Sequence, residues 1–136
     1  MQNLQYINTT VLAYMGDAVY EVYVRKFVIE SGQVHANKLH RLSVKYVKAE
    51  GQAKALKLLF DELTPNEQNL VKRARNKKIT SKPKNADPII YKLATAFEAL
   101  IGYLYLSNDV KRLEDIVQKS FLMIDGGKYD GETNEK

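Results

Sequence analysis

Two acidic side chains stand in unusually apolar company. Asp17 lies within Val11-Leu12-Ala13-Tyr14-Met15-Gly16-Asp17-Ala18-Val19-Tyr20, and Glu98 within Ala94-Thr95-Ala96-Phe97-Glu98-Ala99-Leu100-Ile101. An ionised carboxylate inside an apolar core is costly, so each such group must be paired, protonated or metal-bound. If two core helices bring these two together, their oxygens suit Mg²⁺, which needs only one or two protein carboxylates and keeps several waters. A cation so held can activate water and offset charge on a phosphate under attack. Spacing alone leaves other arrangements open. Glu21 and Arg25 are four residues apart, the spacing of an ordinary helical ion pair. Asp17 can likewise pair with a base, and Glu98 can face solvent at the edge of its helix.

The basic residues give a second indication. Lys72, Arg73, Arg75, Lys77, Lys78, Lys82 and Lys84 follow one another with no acid between them. Cations near a helix C-terminus are favoured by its dipole, which accounts for Lys72 to Arg75 but not for Lys82 and Lys84. Beside a separate stripe of Lys38, Arg41, Lys45 and Lys48, this band has the character of a phosphate-tracking, RNA-binding surface. Net charge is +5, with a pI near 9.3. Aromatic residues do not interleave the band, which argues against a single-strand stacking platform. A-form duplex is read mainly through shape and phosphates, so it is the better fit. A non-catalytic double-stranded-RNA-binding module and a helical interaction protein are the rival classes. No serine–histidine arrangement suggests a nucleophile, His35 and His40 are expected at the surface, and no glycine-rich phosphate loop is present.

The elements that must hold these residues are all helical. The 136 residues are 45% hydrophobic and contain no cysteine. No signal pattern opens the chain, and no apolar run is expected to approach the roughly 20 residues of a membrane span. The expectation is a cytoplasmic protein without membrane contact. Apolar residues recur at helical rather than alternating spacing. A first helix is predicted from Thr10 to Ser31, apolar all round except for a narrow stripe of Asp17, Glu21 and Arg25, and therefore buried among other helices or in part against a partner chain, with Gly32 ending it. His35 to Phe60 reads as two helices, or one bent near Gly51. Thr64-Pro65-Asn66-Glu67 announces a capped start, and that helix should end near Asn76. Lys77 to Ala86 is a loop. Asp87-Pro88 opens the helix bearing Glu98, and a last helix runs from Val110 to Ile124. Residues 1–124 are expected to form the domain and 125–136 a polar, flexible tail.

Leu12 to Tyr20 resembles the signature helix of the ribonuclease III catalytic domain. Thr95-Ala96-Phe97-Glu98-Ala99-Leu100-Ile101-Gly102 resembles that domain's second acidic motif. Order and separation also fit, and the resemblance covers roughly Thr9 to Ile124. It is closest to the Mini-ribonuclease III branch, which lacks a separate double-stranded-RNA-binding domain. The resemblance implies an all-α homodimer that cuts duplex RNA with Mg²⁺, leaving 5′-phosphate and 3′-hydroxyl ends. It implies Asp17 and Glu98 as the catalytic metal ligands and precursor 23S ribosomal RNA as the substrate. Further family acids are replaced here, by Thr10 and Ala13 on the first helix, by Thr95 before Glu98, and by Lys38. The resemblance therefore implies a thinned acidic cluster with a water-rich metal shell.

Overall fold

Helix-starting chemistry in the sequence is used almost wherever it occurs. The computed structural model describes residues 6–79 and 81–126, and its regular structure is entirely helical there. α1 is Thr9–Ile29, α2 Ala36–Val47, α3 Ala49–Leu59, α4 Pro65–Asn76, α5 Pro88–Leu106 and α6 Val110–Ile124, with a 3₁₀ turn at Phe60–Glu62. Thr64 accepts from the Glu67 backbone N–H while the Glu67 carboxylate accepts from that of Thr64, a complete capping box. Asp87 caps α5 through Ile89 and Ile90, and Asp109 caps α6 through Arg112. Gly32, at φ +89°, occupies the left-handed position just past α1.

The bend between α2 and α3 falls at Lys48, which is extended (ψ 154°), and Gly51 lies inside α3. Gly51 has a different task from the one its sequence position suggests. A Cβ there would stand 2.4 Å from the Lys45 carbonyl oxygen, so glycine lets α3 fold back tightly on the end of α2.

α5 is the central helix, packed by α1, α3 and α4 and also touched by α6. Leu93, Ala96, Phe97, Ala99, Leu100, Ile101 and Leu104 are buried along it. The sequence expectation about apolar runs needs correcting here. At 19 residues α5 is long and apolar enough to cross a membrane, and its central place in the core accounts for that composition. An aromatic cluster closes one end of the core. Tyr20 meets Phe97 edge-on at 5.0 Å and Phe27 stacks on Phe121 at 4.4 Å, while the Tyr20 hydroxyl donates to the Tyr46 carbonyl at 2.9 Å.

For α1 the sequence leaves burial within the subunit and burial against a partner as alternatives, and within this chain one apolar face is open. Tyr14 is 82% exposed and Val22 66%, with Val11, Ala18 and Ile29 beside them. The heptad-like recurrence 11, 14, 18, 22, 29 makes these one stripe. The expected tail begins later than predicted. Asp125 accepts from the Tyr46 hydroxyl and pairs with Lys45, both at 2.7 Å. The rest of that segment, 127–136, lies outside the described residues.

Candidate active site

Two glycines let the backbones of α1 and α5 touch. A Cβ on Gly16 would stand 1.7 Å from the Glu98 carbonyl oxygen, and one on Gly102 would stand 1.9 Å from that of Leu12. No other residue fits either place. Asp17 directly follows Gly16, and Glu98 lies one helical turn before Gly102. The crossing therefore sets the two carboxyl groups side by side although 81 positions separate them in the chain (98 minus 17). Their side chains share a hydrogen bond.

Their environments differ. Asp17 is exposed, which corrects the reading of it as a core residue, while Glu98 is half-buried between helices. Burial pushes the Glu98 carboxyl up to about 8, and the adjacent Asp17 charge and hydrogen bond push the same way. Gln52 opposes them by donating from its amide to Glu98 Oε2 at 3.4 Å. Without a cation, Glu98 therefore favours its protonated form at neutral pH. Two touching carboxyls, one open to solvent and one confined, form a donor set of the oxygen type that Mg²⁺ prefers. Among the described residues no group of three or more acids, histidines or cysteines gathers here or elsewhere.

The replaced family positions contribute no further acid. Thr95 is half-buried and donates its hydroxyl to the Tyr91 carbonyl at 2.9 Å. Ala13 is buried and Lys38 exposed. Thr10 accepts from Lys77 Nζ at 2.9 Å. Glu21 and Arg25 form the ordinary ion pair that their spacing allows, at 3.1 Å.

The basic band divides by role. Lys77 is tied to the start of α1 through Asn8 and Thr10. Arg73 reaches the Ile7 carbonyl at 3.4 Å, Arg75 the neighbouring Asn76 at 3.3 Å, and Lys72 lies over the Phe60 ring. Lys78, Lys82 and Lys84 are exposed. Lys77 and Lys78 also line a cavity of about 230 Å³ with Thr10, Ser81, Lys92 and Thr95. Its walls carry lysines and hydroxyls, and it reaches within one turn of Glu98 along α5. His35 and His40 are both exposed, as expected.

Sequence reasoning missed three residues. Gly16 and Gly102 sit within the two motifs without an evident task, because a packing glycine looks like any other until the partner helix is known. Gln52 left a clearer trace. It shares its helix face with Leu56 and Leu59, a polar residue at an apolar register.

Comparison with known proteins identifies the family. Residues 10–109 match the Ribonuclease III domain family. A Mini-ribonuclease 3 of Brevibacillus brevis is 50% identical over 119 residues, covering 88% of this chain and 89% of its own length. One of Enterococcus faecalis is 39% identical over 138 residues, covering both chains in full. A crystal structure of a Fusobacterium nucleatum protein superimposes with a TM-score of 0.76 at 28% identity, covering 83% of this chain and 92% of that one. The family match contains both carboxylates, both glycines and the loop between α4 and α5. The chain belongs to the ribonuclease III family of endoribonucleases, in its Mini-ribonuclease 3 branch.

Proposed function

We propose that this chain cleaves double-stranded RNA with the help of Mg²⁺ held by Asp17 and Glu98. The observation that carries the reading is the meeting of these two side chains at the α1–α5 crossing. Two adjacent hydrogen-bonded carboxyls, one of them raised by burial, are a pair from which a divalent cation can displace a proton. When bound, a divalent cation supplies Lewis-acid activation of water and neutralises charge at the phosphate. The chain's own residues supply the rest. Asp17, open to solvent, would meet an incoming phosphate. Glu98, confined by its neighbours, keeps a fixed orientation. Lys78, Lys82 and Lys84 offer charge to the duplex backbone, beside the lysine-lined cavity near the site.

The products expected of phosphodiester hydrolysis in this family are 5′-phosphate and 3′-hydroxyl ends. Membership of the Mini-ribonuclease 3 branch supports precursor 23S ribosomal RNA in the cytoplasm as the substrate. The open stripe on α1 supports a homodimer. An exposed apolar stripe of this kind, interrupted by Arg25, marks an interaction surface, and Asp17 lies one turn from Tyr14 at its border. Two copies facing each other across it would present two sites to one duplex.

A non-catalytic duplex-binding module is the second reading, favoured by the small number of acids at the site. Long duplex RNA incubated with and without Mg²⁺ separates the two. Metal-dependent cleavage supports the nuclease, whereas a mobility shift without cleavage supports the binder.

A further inference from the structure

Gln52 is a polar side chain only 2% exposed, on an otherwise apolar face of α3. Burying an amide without partners is costly, and its partners here are specific. The side-chain nitrogen donates to the Val47 carbonyl at 3.2 Å and to Glu98 Oε2 at 3.4 Å. Val47 is the last residue of α2, where carbonyls lack helical partners. Because the Val47 carbonyl can only accept, the amide orientation is fixed with its nitrogen toward both groups. The backbone enforces the same arrangement. Gly51 draws the start of α3 against the Lys45 carbonyl, and that close approach brings Val47 and Gln52 together.

We propose that Gln52 is a positioning residue that holds the Glu98 carboxylate in the orientation used to bind the divalent cation. The inference rests on the Asp17–Glu98 reading and extends it to the α2–α3 corner. Gln52 links a rigid helix junction to a carboxylate on the central helix. In its absence Glu98 keeps its place on α5 but loses the donor that fixes its oxygens. Residues that orient metal ligands in this way typically change metal affinity by about 10–100-fold when removed.

The test uses the whole chain and Mg²⁺ alone, measured by calorimetry, with melting temperature and metal-free duplex binding followed in parallel. Gln52→Leu and Gln52→Met both remove the donor, and the flexible methionine is the better tolerated if leucine disturbs folding. The expected result is Mg²⁺ affinity weakened at least about 10-fold with metal-free duplex affinity unchanged. A residue that only satisfies the end of α2 would lower the melting temperature and leave Mg²⁺ affinity alone, and that outcome overturns the proposal. A measurement on the unaltered chain needs no folded variant. The Gln52 side-chain amide resonances should move as Mg²⁺ is added and saturate with the calorimetric affinity, and unmoved resonances overturn the proposal. Failure of the native chain to bind Mg²⁺ would overturn the site reading itself. Equal binding by native and variant chains would overturn this inference alone.

Discussion

Glu98 is the residue in which burial, charge and chemistry meet. Its carboxyl is pushed up to about 8 by burial first and then by Asp17. The unfolded chain would titrate it in the ordinary carboxylate range, so the folded, metal-free chain binds the extra proton between the two values. Stability from this group is therefore full in acid and falls as pH rises toward 8. Metal-free Glu98→Gln should show a flatter stability–pH profile and be more stable than the native chain at pH 8, read by urea denaturation. A native profile that rises over that window would contradict the assignment. The same pairing predicts proton release on Mg²⁺ addition at neutral pH, measurable from the buffer dependence of the calorimetric heat. Asp17 and Glu98 stood out from the sequence as candidates, because acids in apolar helices are conspicuous. Their unequal exposure was not. Which side of a helix faces a neighbour depends on the partner's position, and α1 is apolar enough on every side to hide it.

Among the elements, the α1–α5 crossing and the α4–α6 contact do different work. Gly16 and Gly102 permit backbone contact where any side chain would intrude. Gly16→Ala and Gly102→Ala should each cost roughly 1–3 kcal/mol or more in stability, as overpacking does, and should separate the carboxyls. Cleavage should then fall even under conditions where the variant is fully folded, and full activity in the folded variant would exclude this account of the crossing. The start of α4 is tied to α6 through Glu67, whose carboxylate receives two bonds from Arg112, at 2.8 and 2.9 Å. Burial alone would raise the Glu67 carboxyl. Arg112 and the Thr64 backbone overcome that and hold it below the usual range. Its contribution is thus present at neutral pH and lost as pH falls through its lowered value, the opposite slope to Glu98. Glu67→Gln should destabilise by roughly 2–4 kcal/mol at pH 7, with a smaller loss at low pH. Equal losses at both pH values would separate Glu67 from the acid limb. The capping box was readable in Thr64-Pro65-Asn66-Glu67, but the arginine was not, since 45 positions separate Glu67 from Arg112 (112 minus 67). For the α2–α3 segment the reading of two helices holds, but the break falls at Lys48, and Gly51 serves close packing instead.

At the scale of the whole molecule, an open apolar stripe, a basic loop and a carboxyl pair are arranged around α1 and α5. Replacing Tyr14 and Val22 by glutamate places charge in the stripe without disturbing the core, since both are exposed. Sedimentation should then show a monomer where the native chain is a dimer, and a native monomer at micromolar concentration would remove the two-site arrangement. Replacing Lys78, Lys82 and Lys84 by alanine should reduce the salt dependence of duplex binding by about one unit of log–log slope for each phosphate no longer neutralised. An unchanged slope would take the loop off the binding surface. The all-α class and the helix order were legible from spacing and caps, whereas the open face of α1 required knowing how few helices surround it. All of this depends on residues 17 and 98 acting as one cation site, and Mg²⁺ calorimetry on three chains tests that most directly. The native chain should bind Mg²⁺, and Asp17→Asn and Glu98→Gln should each abolish that binding while leaving duplex affinity in its absence intact. Native-like Mg²⁺ affinity in either variant would contradict the shared site.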